Sequence, residues 1–143
     1  MARALDEAAT AGAAGEVPVG AVLVDGAGTI IAAAGNRVER DRDPTAHAEM
    51  VVLREGVARF GAKHLSGCDL YVTLEPCAMC AAAIALAHIH RLYFAAYDPK
   101  GGGVEHGPRI FEQPTCHHRP EVYGGIAERA AGELLRRFFR ARR

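Results

Sequence analysis

The 143-residue sequence lacks any apolar run of about 18 residues, the length that a membrane span requires, so no such span is expected. It also lacks a net charge, because 17 lysine and arginine residues balance 17 aspartate and glutamate residues. Taken alone, this balance argues against a nucleic-acid partner, since such proteins usually carry a basic excess. Half of the residues are hydrophobic and 24% are charged, which argues against a disordered chain. The length predicts a single domain over residues 1–143.

Lysine is scarce, because only Lys63 and Lys100 occur and the other 15 basic residues are arginines. Five of these arginines fall within the last eight positions, with no acidic residue among them: Arg136, Arg137, Arg140, Arg142 and Arg143. The cluster is either a solvated helix end, where cations complement the helix dipole, or a surface that contacts phosphates. The neighbouring aromatic pair, Phe138 and Phe139, favours phosphate contact combined with base stacking.

A disulfide pattern is lacking, because the spacing of the four cysteines is not typical of one: Cys68, Cys77, Cys80 and Cys116. Cys77 and Cys80 follow Pro76 and lead into an apolar run, which predicts two thiols in the first turn of a helix. The acidic residues at positions 6 and 7 are untypical of a secretion signal, so a reducing, cytoplasmic location is expected. Cys77 and Cys80 are therefore predicted to serve metal or redox chemistry, and the other two cysteines are interpreted as packing or surface thiols.

The pattern of apolar residues predicts an α/β fold with helices on both faces of a sheet and right-handed crossovers. Helices are expected over residues 2–14, from Asp43-Pro44 to Phe60, from Pro76 to Ala87 and from Ile126 onward. Strands are expected over residues 17–24 and 29–34, which form a hairpin, over 70–74 and 89–96, and at the edge pair Val122-Tyr123. Loops are expected over the charged residues 36–43 and the glycine-rich residues 98–108.

Two short strings carry residues suited to catalysis: His47-Ala48-Glu49 and Pro76-Cys77-Ala78-Met79-Cys80. One imidazole and two thiols are ligands that zinc prefers, and three protein ligands with an open fourth position are typical of a catalytic zinc site. Zinc lowers the pKa of its bound water towards neutrality. Glu49 is then available as a proton shuttle. His-x-Glu together with Pro-Cys-x-x-Cys is a signature of zinc nucleobase deaminases.

Two other interpretations of these strings stay open at this point. A redox dithiol would need no partner histidine and is typical of a thioredoxin-like setting. A closed structural zinc site would need a fourth ligand, for which His117 and His118 are candidates. The order of the two strings and their 30-residue separation favour the catalytic interpretation.

The sequence resembles the cytidine deaminase superfamily and, within it, the bacterial tRNA adenosine deaminases. The matching stretches extend over nearly the whole chain: residues 16–24, 36–37, 43–49, 71–80, 97–100 and 138–143. The resemblance implies a cytidine deaminase-like three-layer α/β fold with a five-stranded mixed β-sheet and helices on both faces. It also implies one zinc ion per chain and a homodimer whose partner subunit helps to form the RNA site.

The reaction implied by the resemblance is hydrolytic deamination of adenosine to inosine at the wobble position of a tRNA anticodon loop. A zinc-bound hydroxide would attack C6 of adenine, with Glu49 as the catalytic acid and base and with His47, Cys77 and Cys80 as the zinc ligands. The implied substrate-binding residues are Asn36 and the Ala48 backbone N–H for the purine, Val17 and Pro76 for the base pocket, Asp98 for the neighbouring nucleotide, and Phe139, Arg142 and Arg143 for the anticodon loop. Residues 101–113 depart from the family pattern, so no contact is assigned to them.

Two alternative functions are compatible with parts of this pattern. A deaminase of free guanine, cytosine or cytidine would share the zinc signature, but it would not require Asp98-Pro99-Lys100 or the arginine-rich C-terminal helix. A non-catalytic RNA-binding module with structural zinc would have no use for Glu49 beside an open ligand position.

Overall fold

The protein folds into a five-stranded mixed sheet with helices on both faces. The structure is a computed structural model that describes all residues, 1–143. The strands are β1 (Gly20–Val24), β2 (Ile30–Gly35), β3 (Asp69–Leu74), β4 (Arg91–Ala96) and β5 (Glu121–Tyr123). The α-helices are α1 (Ala2–Ala13), α2 (Val38–Asp41), α3 (Ala48–Phe60), α4 (Ala78–Leu86) and α5 (Glu128–Arg140), and a 3-10 turn spans Ile110–Glu112. The predicted fold class is confirmed. None of these helices combines the length and the apolar character needed to cross a membrane.

The strand order is β2-β1-β3-β4-β5, with β1 antiparallel to both of its neighbours and with β3, β4 and β5 parallel. The predicted β1–β2 hairpin is closed by Asp25, whose Oδ1 accepts hydrogen bonds from the backbone N–H groups of Ala27 and Thr29, both at 2.9 Å. Because β2, β3 and β4 run in the same direction, their carboxyl ends and the start of β1 lie at one edge of the sheet. This edge carries the site described below.

The two layers of helices approach the sheet closely at glycine residues. On one face α1 lies against β1 at Gly20, where a β-carbon would clash with the carbonyl oxygen of Ala4. On the other face Gly56 of α3 lies against Leu23, whose side chain would clash with a β-carbon at that position. Residues of β1 with opposite parity therefore meet α1 and α3, which places these helices on opposite faces of the sheet.

The predicted start of α3 is wrong, because Asp43-Pro44 does not open the helix. Asp43 Oδ1 instead accepts hydrogen bonds from the backbone N–H and the hydroxyl of Thr45, at 2.8 and 2.7 Å, and so closes a turn. The helix begins at Ala48, and His47 precedes it with extended backbone angles, φ −65° and ψ 151°. This later start directs the imidazole of His47 out of the helix and towards the neighbouring helix α4.

The charged segment 36–43 is not the simple loop that was predicted, since it contains the short helix α2. The buried carboxylate of Glu16 accepts hydrogen bonds from the backbone N–H groups of Glu39 and Arg40, at 3.2 and 2.8 Å. A carboxylate at the start of a helix satisfies N–H groups that have no partner within the helix. The sequence concealed this cap, because Glu16 lies 23 residues before the first N–H group that it binds.

Candidate active site

One imidazole and two thiols meet where helices α3 and α4 begin. His47 immediately precedes α3 and Cys77 immediately precedes α4, while Cys80 lies in the first turn of α4. The Nδ1 atom of His47 lies 3.6 Å from Cys77 Sγ and 3.5 Å from Cys80 Sγ, and all three donor atoms lie within 4.8 Å of one another. Residues from two separate parts of the sequence, His47 and the pair Cys77 and Cys80, therefore form a compact set of potential ligands.

This donor set fits zinc, which binds cysteine sulfur and histidine nitrogen in a tetrahedral arrangement. No fourth histidine, cysteine, aspartate or glutamate belongs to the group. The candidates for a closed structural site lie elsewhere, because His118 donates from Nε2 to the carbonyl of Ile89 at 2.7 Å, and His117 lines a separate cleft beside Leu86. All four cysteines are free, so no disulfide competes for the thiols. The residues present therefore support a three-ligand site with an open fourth position.

The pKa values of the two thiols are shifted in opposite directions. A hydrogen bond from Cys80 lowers the pKa of Cys77 to about 4, and the adjacent His47 acts in the same direction, although burial opposes both. The pKa of Cys80 is raised by the same hydrogen bond and by burial. Cys77 is thus prepared as the thiolate, the form in which cysteine binds metals.

Glu49 lies in the first turn of α3, two residues after His47, and its side chain is buried. Burial raises the pKa of this carboxyl to about 7, against the opposing effect of the nearby His47. A carboxyl with such a pKa can both accept and release a proton near neutral pH, which is the property required of a general acid and base.

A cleft of about 740 Å³ opens onto these residues at the carboxyl edge of the sheet. Its wall contains most of the residues that the resemblance implied for the substrate and the metal: Val17, Asn36, His47, Glu49, Cys77, Asp98 and Arg142. Asn36 Oδ1 accepts a hydrogen bond from the backbone N–H of Ala48 at 2.9 Å, so this N–H is already engaged. Ala48 and Pro76 are fully buried and do not line the cleft.

The C-terminal residues extend the cleft into an adjoining groove of about 930 Å³. Phe139 and Arg143 line this groove, whereas Phe138 reaches the cleft itself. Arg142 lines both, and its guanidinium carbon lies 3.5 Å from the centre of the Phe138 ring. The resemblance implied an RNA contact for Phe139 alone, whereas the sequence pattern grouped Phe138 with it as a pair suited to base stacking.

Glu75 also borders the cleft, although its side chain has no exposed surface, and the sequence reasoning assigned it no role. Burial would raise the pKa of this carboxyl, but hydrogen bonds from Asp98, Glu105 and His106 outweigh it and hold the pKa below its usual value. The one signal in the sequence was an acidic residue between a buried strand and the Pro76-Cys77 pair.

Comparisons with known proteins agree with this geometry. Residues 1–96 match the family model of the cytidine and deoxycytidylate deaminase zinc-binding region. The tRNA-specific adenosine deaminase of Agrobacterium fabrum is 57% identical over 143 residues, which cover all of this chain and 93% of that protein. The guanine deaminase structure from Nitrosomonas europaea has a TM-score of 0.82 at 26% identity, over 96% of this chain and 81% of that one.

A solved structure from a study of A-to-I editing by tRNA:A34 deaminases at the wobble position of transfer RNA has a TM-score of 0.92. It is 57% identical and covers 94% of this chain and 97% of that one. The predicted resemblance, the zinc cofactor and the assignment as a hydrolytic enzyme are thereby confirmed. The chain belongs to the zinc-binding cytidine and deoxycytidylate deaminase family and, within it, to the group of tRNA-specific adenosine deaminases.

Proposed function

We propose that the protein deaminates adenosine to inosine at the wobble position of a tRNA anticodon loop, consuming water and releasing ammonia. The observation that carries this proposal is the continuity of the cleft over His47, Cys77 and Cys80 with a groove lined by aromatic and arginine side chains. A free base would fill only the cleft, whereas a polynucleotide also needs contacts to its phosphates and flanking bases.

His47, Cys77 and Cys80 would hold the zinc ion, and two of these residues, His47 and Cys77, line the cleft. When bound, zinc lowers the pKa of a coordinated water, so that a nucleophile is available near neutral pH. Glu49 accepts a proton from the attacking water, transfers it to the purine ring and then helps to protonate the departing amino group. Its pKa of about 7 suits both directions of this transfer.

Substrate recognition is assigned to residues on the wall of the cleft and groove. Because Asn36 Oδ1 is bonded to Ala48, the amide NH₂ of Asn36 is the group left to contact the purine. Val17 provides an apolar surface for the base, and Asp98 lies on the rim, where the next nucleotide would pass. An anticodon loop suits this arrangement, since its bases are unstacked at lower cost than those of a duplex.

The function is tested by incubating the zinc-loaded protein with an anticodon stem-loop that carries adenosine at the wobble position. We expect inosine at that position, and no turnover of free guanine, cytosine or cytidine. The same stem-loop with guanosine at the wobble position is the matched control. Turnover of a free base or nucleoside, with no inosine in the stem-loop, would instead support the alternative that the resemblance to a guanine deaminase structure keeps open.

Arg142 and Arg143 provide a prediction about RNA affinity, because none of the five C-terminal arginines forms an ion pair, whereas the earlier Arg129 pairs with Glu133 at 3.3 Å. Changing both to glutamine should weaken stem-loop binding about tenfold near 0.1 M salt and should reduce the salt dependence by about one to two phosphate contacts. Fluorescence anisotropy over a salt series measures both effects. Arg59→Gln, at the far end of α3, should leave affinity unchanged, and salt-independent binding of the wild type would contradict the proposal.

We also propose that residues 1–143 act as one cytoplasmic deaminase domain and that two copies form a homodimer through the outer side of α4. Leu86 is 77% exposed there, beside the half-buried Ala82 and Ala85. An exposed apolar side of this kind is typical of a contact surface. Light scattering after gel filtration should give twice the chain mass of 15.2 kDa, and Leu86→Glu should reduce it to that of one chain. A wild-type monomer at micromolar concentration would contradict the dimer.

A further inference from the structure

The carboxylate of Glu75 accepts hydrogen bonds from several residues of the loop that follows β4. Its Oε1 accepts hydrogen bonds from three consecutive backbone N–H groups, those of Val104 at 3.3 Å, Glu105 at 2.8 Å and His106 at 3.0 Å. Its Oε2 accepts one from the backbone N–H of Asp98 at 2.9 Å and lies 2.8 Å from Nδ1 of His106. A buried carboxylate satisfied in this way holds both ends of the loop, residues 98–106, in one position.

The glycines of this loop allow it to lie directly against Glu75 and the turn that carries Cys77. A β-carbon at Gly102 would lie 2.5 Å from Glu75 Oε1, and one at Gly103 would lie 2.6 Å from the backbone nitrogen of Ala78. The N–H of Gly103 also donates to the carbonyl of Pro76 at 2.8 Å. The loop is therefore fastened to the Pro76–Ala78 turn by its backbone as well as by the carboxylate of Glu75.

Asp98 is the point at which this loop reaches the cleft. Its backbone N–H is held by Glu75, while its own Oδ1 accepts hydrogen bonds from the N–H groups of Lys100 at 3.1 Å and Gly101 at 3.0 Å. Gly101 lines the cleft beside it. Hydrogen bonds thus orient both the backbone and the side chain of Asp98. The bond from its backbone N–H to Glu75 ties this residue to a buried carboxylate.

We propose that Glu75 is a positioning residue that fixes Asp98 on the rim of the cleft for the nucleotide next to the reacting base. This inference rests on the proposed function, because it gives Asp98 a polynucleotide to contact. Glu75 is sequestered behind the loop and acts through Asp98. Its loss therefore weakens binding of the substrate and of the transition state equally, which raises KM and leaves kcat nearly unchanged.

The test is Glu75→Gln, which keeps the size of the side chain but replaces one acceptor oxygen with a donor NH₂ group. KM for the adenosine-containing stem-loop should rise about tenfold, as expected for lost hydrogen bonds to a charged group. The value of kcat should stay within about threefold of the wild type, and the zinc content should remain one ion per chain. Asp25→Asn is the matched control, because the carboxylate of Asp25 likewise accepts hydrogen bonds from backbone N–H groups, two in number, but lies in the β1–β2 turn; it should leave KM unchanged.

Two further variants test whether Glu75 acts through Asp98. In an Asp98→Ala background, Glu75→Gln should add little to the rise in KM, since two residues that act in series are not additive. Gly102→Ala disturbs the same contact from the loop side, because its β-carbon would clash with the carboxylate of Glu75 and with the carbonyl oxygen of Asp98. It should raise KM in the same way, which keeps the inference testable if Glu75→Gln does not fold.

The outcomes separate this inference from the proposed function. If the wild type forms no inosine, the proposed function fails, and stem-loop affinity measured by anisotropy then replaces KM as the readout for Glu75. If the wild type is active, an unchanged KM in Glu75→Gln overturns the inference. Additive effects of Glu75→Gln and Asp98→Ala also overturn it, as does a joint loss of kcat and zinc, which would make Glu75 a support of the metal-binding turn.

Discussion

Replacing Glu49 with glutamine is expected to lower kcat by about 10³- to 10⁴-fold while zinc stays bound at one ion per chain. Glutamine keeps the shape of the side chain but cannot accept the proton that the attacking water loses. Three other carboxylates of the cleft wall, those of Glu16, Glu75 and Asp98, already accept hydrogen bonds from backbone N–H groups, which leaves them less able than Glu49 to take this proton. Inosine formation at saturating stem-loop and metal analysis of the same sample measure the two quantities.

A matched control for this prediction lies on the same helix. Glu55 is exposed on α3 and lies 3.7 Å from Arg37, so Glu55→Gln should leave both turnover and zinc content at the wild-type level. The shorter replacement Glu49→Ala should abolish turnover as well and should also retain zinc. If Glu49→Gln turned over at close to the wild-type rate, the role of Glu49 as proton shuttle would be refuted.

Replacing Cys80 with serine should remove the zinc and, with it, turnover by more than about 10³-fold. Cys80 is completely buried, so no water-exposed group can take the place of its sulfur, and a serine hydroxyl is a poor zinc ligand. Because zinc binds the folded chain preferentially, its loss should also lower Tm. A chelator should lower the Tm of the wild type towards that of Cys80→Ser, and it should leave the Tm of the variant unchanged.

Cys116 provides the control for this second prediction. Its thiol donates to the carbonyl of His118 at 3.1 Å and lies outside the cleft, so Cys116→Ser should keep one zinc ion per chain and full turnover. Metal analysis after gel filtration and thermal unfolding with and without chelator provide the measurements. Retention of zinc by Cys80→Ser at the wild-type stoichiometry would contradict the three-ligand site.

The candidate metal site could be predicted from the sequence because each half of it lies within a few residues. Cys77 and Cys80 lie at the start of one helix, and His47 and Glu49 at the start of another, so the short spacing within each pair indicated that its two side chains lie close together. The hairpin turn at Asp25 was predictable for the same reason, since its partners Ala27 and Thr29 lie within four residues.

The roles of Glu16 and Glu75 could not be predicted, because each carboxylate binds backbone N–H groups at least 23 residues away. Every residue except proline has the same backbone N–H group, so no sequence motif indicates which N–H groups a distant carboxylate binds. The choice between Phe138 and Phe139 was hidden for a different reason. Both continue the apolar pattern of α5, and only the rotation of that helix against the sheet brings Phe138 into the cleft and Phe139 into the groove.

The zero net charge also shows the difference between what the sequence determines and what depends on the tertiary structure. By itself the sequence predicted the α/β class, the three residues proposed as zinc ligands, the place of Glu49 beside them and the five arginines near the C-terminus, because each prediction depends on residue types at short spacing. Only the tertiary structure decided that Arg142 lines the cleft. The packing of α5 against β3 and β4 brings positive charge to the carboxyl edge of the sheet, so a chain without net charge presents a basic surface beside its metal site.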